Sequence, residues 1–157
     1  MKVLGIDPGY ERLGIAIIEQ KDGQNHLLFS DCLITPRDIT FADRLKLIGA
    51  KIDEVIETWR PSILAIENLF ITKNQKTAMK VSEVRGVAIY LAADKNLKVF
   101  EYTPMEIKLT ITGYGKADKN QITSMVKKLV LVPNKKIIDD EFDAIAVGLT
   151  CLAKERW

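Results

Sequence analysis

Alternation of hydrophobic and polar positions near the start of the chain predicts three β-strands. The segments span residues 2–6, 13–20 and 26–34, and each combines β-branched or aromatic residues with polar boundaries. Asp22 and Gly23 form a turn signal between the second and third segments, which favours a hairpin. We therefore expect the first part of the chain to form an antiparallel meander.

The periodicity then changes from that of a strand to that of a helix. Thr40 and Asp43 resemble a capping box, and Pro61 marks where a helix must end. Between them, apolar residues recur at helical spacing: Leu45, Ile48, Ile52, Val55, Ile56 and Trp59. A short apolar run at residues 62–67 follows and predicts a buried strand, reached by a crossover that makes it parallel to a neighbour.

The second half of the chain contains four further helices and one strand by the same criteria. The predicted helices cover residues 77–94, 104–110, 119–130 and 140–153, and the strand covers residues 99–102. We find no repeat and no linker, so residues 1–157 are interpreted as a single α/β domain. Without a signal peptide or an apolar run of bilayer length, the chain is expected to be cytoplasmic, with no membrane partner.

Acidic residues occupy the ends of the predicted elements. Asp7 closes the first strand before Pro8-Gly9, and Glu67 closes the fourth strand, which should lie beside the first. Asp140 and Asp143 share one face of the last helix, whereas Glu141 points elsewhere. Asp139 also fits this face or could be the helix N-cap, so geometry alone leaves the choice open.

Carboxylates that converge without an evident cationic partner indicate a divalent metal, because their mutual repulsion otherwise prevents full ionisation. Mg²⁺ prefers hard oxygen ligands, and a pair of ions about 3.5 to 4 Å apart can clamp both oxygens of a phosphodiester displacement. With His26 the only histidine, zinc and catalytic-triad chemistries lack their usual ligands. Phosphodiester hydrolysis is the reaction that this acid pattern favours.

Charge is distributed unevenly, although the formal net charge is only +2. Residues 72–136 contain 13 Lys and Arg but only 5 Asp and Glu, and acidic segments lie on both sides of them. A basic block next to an acidic site suits a polyanion such as nucleic acid, although a solvated lysine-rich surface is also consistent with it.

Four motifs together resemble the bacterial RuvC family of Holliday junction resolvases. They are Gly5-Ile6-Asp7-Pro8-Gly9, Ile66-Glu67-Asn68-Leu69-Phe70, Arg85-Gly86-Val87-Ala88 and Asp140-Glu141-Phe142-Asp143-Ala144. The resemblance covers essentially the whole chain. It implies a ribonuclease H-like α/β fold, with a five-stranded mixed sheet flanked by helices on both faces.

The resemblance also implies the chemistry. Asp7, Glu67, Asp140 and Asp143 would be the catalytic metal ligands, and the family spacing favours Asp140 over Asp139. Two Mg²⁺ ions are expected in each site, with Mn²⁺ as a substitute. The implied activity is paired nicking of four-way junction DNA by a homodimer, leaving 5′-phosphate and 3′-hydroxyl ends in recombination and repair. A branch-migration motor complex is the implied partner.

Residues expected to contact DNA fall around this site. The family places an aromatic residue at Phe70 and basic residues at Lys108 and Lys119. Lys116 adds charge between them, and four weaker candidates are Lys73, Lys76, Lys80 and Arg85.

Alternative functions remain at this stage. The chain could be a ribonuclease H-like nuclease for another structured nucleic acid or a junction-binding protein without activity. An actin-like nucleotide-binding protein is disfavoured by the length.

Overall fold

A five-stranded sheet forms the centre of the protein. In this computed structural model, residues 1–69, 74–131 and 136–155 are described. The strands are β1 Lys2–Asp7, β2 Arg12–Lys21, β3 Gln24–Ile34, β4 Ile63–Glu67 and β5 Lys98–Tyr102. Their order is β3-β2-β1-β4-β5. Strand β2 is antiparallel to both β1 and β3, whereas β4 is parallel to both β1 and β5. The predicted mixed sheet is confirmed.

The described residues form five helices, which cover the two faces of the sheet. They are α1 Phe41–Trp59, α2 Gln75–Asp94, α3 Pro104–Thr112, α4 Lys119–Leu129 and α5 Asp139–Lys154. Because side chains alternate along a strand, Leu4 of β1 packs with α1 and α2, and its neighbour Val3 packs with α3, α4 and α5. Both faces of β1 and β4 are therefore buried. None of the described helices is long and apolar enough to cross a membrane.

Local capping fixes where most of these helices begin. The Thr40 hydroxyl accepts the amide N–H of Asp43 at the start of α1, as predicted. Helix α5 is different, because Asp139 is its first residue and Ile138 occupies the N-cap position. The alternative that Asp139 caps this helix is therefore wrong. The Glu141 carboxylate instead accepts the Ile138 amide N–H at 3.0 Å.

Two glycines allow α5 to lie directly against the sheet. A Cβ on Gly5 of β1 would collide with the backbone oxygen of Ala144, and a Cβ on Gly14 of β2 would collide with that of Asp140. In both cases the obstacle is helix backbone, which has little freedom to move away. The absence of side chains at these two positions brings the first turns of α5 close to the end of β1.

Candidate active site at the carboxyl edge of the sheet

Asp7 and Glu67 lie next to each other because their strands do. Each is the last residue of its strand, and the parallel register pairs Ile6 with Ile66 directly before them. In addition to burial, the charge of Glu67 raises the pKa of Asp7, which places the two carboxyl groups close together. The sequence-based expectation that Glu67 lies near Asp7 is confirmed.

The third and fourth acids come from the start of α5. Asp140 and Asp143 both raise the pKa of Asp7 through their charges, which places them at the same edge of the sheet. Glu141 is turned away and buried, where its carboxylate accepts the Ser30 hydroxyl at 2.7 Å. Asp139 is exposed. The structure therefore brings together the four carboxylates that the sequence singled out.

The environment of these acids opposes their ionisation. Burial, followed by the charges of Glu67, Asp143 and Asp140, raises the pKa of Asp7 from 3.8 to about 8. Burial and the charge of Asp143 raise the pKa of Glu67. Burial also raises the pKa of Asp143, against the opposing effect of Lys119. Without another cation, Asp7 and Glu67 hold a proton between them near neutral pH.

Two basic side chains pair with the outer acids. The Arg12 guanidinium forms an ion pair with Asp140, and the Lys119 ammonium lies 3.3 Å from the Asp143 carboxylate. The sequence-based view that the acids lack cationic partners is therefore wrong for Asp140 and Asp143. Arg12 was missed altogether, because only the pairing of β1 with β2 brings it to the carboxyl edge.

The donor chemistry of this cluster suits a hard divalent cation. Four carboxylates converge, and burial makes their mutual repulsion costly, which is the situation that Mg²⁺ relieves. Among residues 1–69, 74–131 and 136–155, no three acidic, His or Cys side chains form a preformed metal cage. Asp7 and Glu67 lie close together, and Asp140 and Asp143 are held in ion pairs with Arg12 and Lys119.

Two pockets open beside the acids. The first, of about 200 Å³, is lined by Glu67, Asp143, Lys108 and Lys119 among others. The second is wider, about 570 Å³, and brings Arg12, Lys119 and Lys136 together with Asp139 and Asp140. Lys108 lowers the pKa of Glu67 through its charge, although burial has the larger, opposite effect. Basic and acidic groups therefore line the same cleft.

Arg85 has a role that the sequence did not suggest. Its side chain is 9% exposed, and it donates to the backbone oxygen of Glu67 at 2.6 Å and to Asn68 Oδ1 at 3.0 Å. It also forms an ion pair with Glu101. This burial argues against the predicted DNA contact. Arg85 holds the end of β4 that carries Glu67.

The remaining predicted DNA contacts are scattered around the same edge. Lys76 and Lys116 are exposed, and Lys80 lies over the rings of Tyr10 and Phe41. The predictions at Phe70 and Lys73 fall outside the described residues.

Comparison with known sequences identifies a protein family. A family model described as "Crossover junction endodeoxyribonuclease RuvC" matches residues 3–151. A protein of that name from Moorella thermoacetica is 41% identical over 157 residues, which cover 100% of this chain and 94% of the relative. Another, from Caldanaerobacter subterraneus subsp. tengcongensis, is 39% identical over 149 residues, or 95% of this chain and 90% of the relative.

Solved structures agree with the sequence comparison. A T. thermophilus RuvC in complex with Holliday junction substrate matches with a TM-score of 0.90 at 28% identity, covering 98% of this chain and 93% of that one. A second Thermus thermophilus RuvC structure gives a TM-score of 0.86 at 29% identity, with 97% and 93% coverage. The ribonuclease H-like fold predicted from the motifs is confirmed, and the chain belongs to the RuvC family.

Proposed function

We propose that this chain is a Mg²⁺-dependent endodeoxyribonuclease that resolves four-way DNA junctions by paired nicks. The observation that carries the proposal is the convergence of Asp7, Glu67, Asp140 and Asp143 at one edge of the sheet, where crowding raises the pKa of Asp7 to about 8. Such a cluster needs a bound cation to ionise fully. Membership of the RuvC family supports the choice of substrate.

In the proposed mechanism, each protein group has a distinct task. Asp7, Glu67, Asp140 and Asp143 would hold the ions, and Asp7, on which the charges of the other three act, would be the shared ligand. When bound, two Mg²⁺ ions would supply an activated water and stabilise the leaving 3′ oxygen. Arg85 fixes the backbone that carries Glu67. Lys108 and Lys119 hold the scissile phosphate in the cleft, and Lys116 contacts the DNA backbone beside it.

We further propose that the chain, as one domain, acts as a homodimer in the cytoplasm and is served by a branch-migration motor. A junction cut symmetrically requires two copies of the site, which a two-fold dimer supplies. Helix α2 offers a surface for the second copy, because Met79 and Tyr90 are 65% and 66% exposed on one side, with open space at Gly86 between them. Sedimentation of Tyr90→Glu as a monomer would support this surface.

The decisive experiment compares substrates and metals. Wild-type protein is incubated with a synthetic four-way junction, a linear duplex and an RNA:DNA hybrid, each with Mg²⁺ or with a chelator. We expect Mg²⁺-dependent paired nicks in the junction, with ligatable ends, and none in the other substrates. Asp7→Asn should bind the junction without cutting it, while Asp38→Asn, at an exposed loop carboxylate, should cut normally. Equal cutting of the hybrid, or normal cutting by Asp7→Asn, would refute the proposal.

A further inference from the structure

A further polar pocket, separate from the two beside the acids, lies on the α1 and α2 side of the sheet. It has a volume of about 260 Å³ and is formed by the loop after β1, the loop before α1, and the first turns of α1 and α2. Because β1, β3 and β4 all end at the same edge of the sheet, these segments lie at the edge that also carries Asp7. The pocket is lined by Tyr10, Glu11, Arg37, Phe41, Arg44 and Lys80.

Arg44 is the central group of this pocket. Its side chain is only 9% exposed, and its ion-pair partner in the described part of the chain is Glu11, at 4.0 Å. That carboxylate is itself 50% exposed, so its attraction is weakened by water. A buried guanidinium is costly unless an anion is near and hydrogen bonded. Arg44 therefore has capacity for a second, closer anion.

Two further cations line the same pocket. Arg37 is exposed, and neither Arg37 nor Lys80 forms an ion pair within residues 1–69, 74–131 and 136–155. Lys80 is held 4.8 Å from the centre of the Tyr10 ring and 5.5 Å from that of Phe41. With Glu11 as the one acid among the lining residues, the pocket carries an excess of two positive charges.

The backbone adds to this positive potential. Phe41 is the first residue of α1, a helix of 19 residues, so the N-terminal end of its dipole lies at the pocket. The pocket therefore combines three cationic side chains, one of them buried, with a helix N-terminus. This combination suits an anion that accepts two hydrogen bonds. The flanking rings fix Lys80 and Arg44 in place, which lowers the entropy cost of binding.

We propose that this pocket binds a backbone phosphate of the DNA, away from the phosphate that is cut. The identification of DNA as the source of the phosphate rests on the proposed function. A DNA strand that crosses this edge of the sheet would meet both the acids and the pocket. Arg44 and Arg37 donate to the phosphate oxygens, and Lys80 contributes its charge. The pocket anchors an arm of the junction without reading its sequence.

The test measures junction affinity against salt concentration in the presence of a chelator, so that binding is separated from cutting. Arg37→Gln and Lys80→Gln each remove one lining charge, and Lys21→Gln removes one exposed charge at the opposite edge of the sheet. We expect each pocket variant to lose about three- to tenfold in affinity. The slope of log K against log salt should fall by about 0.9 for each lost contact. Lys21→Gln should match the wild type.

A second experiment uses inorganic phosphate and needs no DNA. Phosphate added to the wild-type protein should shift the guanidinium Nε–H signals of Arg37 and Arg44 in NMR spectra, and Lys80→Gln should weaken this shift. Wild-type affinity and slope in both pocket variants would overturn the DNA anchor. If the wild type binds no junction but phosphate still shifts both signals, the proposed function fails and the anion pocket stands. No shift at either arginine overturns the pocket.

Discussion

Replacement of Asp7 by Asn provides the sharpest test of the electrostatics, because the change in protein stability should have opposite signs with and without bound metal. In the folded protein without metal, the pKa of Asp7 is raised from 3.8 to about 8. At low pH Asp7 is protonated in both the folded and the unfolded protein, and the folded state has its full stability. As pH rises toward the pKa of Asp7 in the folded protein, the unfolded protein loses this proton first, so the free energy of unfolding falls. The wild type should therefore lose stability between about pH 4 and pH 8 when a chelator is present.

The size of the effect follows from the shift. A change from 3.8 to about 8 corresponds to an upper limit of about 6 kcal/mol in the free energy of unfolding. Glu67 shares the proton, and the cleft is open to water on one side, so we expect about 2 kcal/mol. Asp7→Asn removes the charge, so the variant should be more stable than the wild type by this amount at pH 9 with chelator. The two should be nearly equal at pH 4.

Addition of Mg²⁺ should reverse the order of stability, so that the wild type becomes more stable than Asp7→Asn. We expect Mg²⁺ to bind the folded wild type and to stabilise it by mass action, whereas the variant lacks the proposed central ligand. Urea unfolding at pH 4, 7 and 9, with chelator and with Mg²⁺, measures all of these differences, with Asp38→Asn as the exposed control. The reasoning is refuted if Asp7→Asn gains no stability at pH 9 with chelator, or if Mg²⁺ stabilises both proteins equally.

Three other substitutions test how the site is held. Arg85→Lys loses the guanidinium that donates to both the Glu67 backbone oxygen and Asn68 Oδ1, so stability should fall by about 2 to 4 kcal/mol in urea unfolding and cutting should slow, with junction affinity unchanged. Lys119→Met breaks an ion pair with Asp143 in which the lysine is exposed, so stability should change by less than about 1 kcal/mol while single-turnover cutting falls about tenfold or more. Gly14→Ala pushes the first turn of α5 outward and should cost about 1 to 3 kcal/mol and most of the activity.

Each of these outcomes can be contradicted. Arg85→Lys would weaken junction binding if Arg85 were a DNA contact. A large stability loss in Lys119→Met would show that the lysine is structural. Gly49→Ala is the control for Gly14→Ala, because its added Cβ would meet only Val87 Cγ1 at an ordinary 3.4 Å. If both alanine variants behave alike, close packing of α5 does not position the acids.

The positions of Asp7 and Glu67 could be predicted because they depend on local patterns. Each follows an apolar run that is buried on both faces, and the intervening helix forces a parallel neighbour. Element ends shifted by only one or two residues, since capping and turn residues such as Thr40 are themselves local signals. The substrate was predicted from the resemblance of four ordered motifs, because a pattern of hydrophobic residues contains no information about a substrate.

Contacts that depend on side-chain reach could not be predicted. Arg12 meets Asp140 only because β2 begins where α5 starts, and Arg85 reaches from α2 back to the end of β4. Gly14 gave no signal, since its importance depends on which backbone atom lies above it. Helix geometry alone also left the choice between Asp139 and Asp140 open, and only the family spacing favoured Asp140. In the structure Asp140 lies beside Arg12, whereas Asp139 is exposed.

The arrangement of charge at the carboxyl edge explains how an acidic site can accept a polyanion. Four carboxylates alone would repel a DNA strand, and burial makes that repulsion stronger. Arg12 and Lys119 offset two of them before any metal binds. If the acids held Mg²⁺, Arg12 and Lys119 would be free to meet phosphate in the cleft. Metal binding would then raise the affinity for DNA through charges that the protein already holds. Junction affinity should rise more with Ca²⁺ in the wild type than in Arg12→Gln, and equal gains would exclude this coupling.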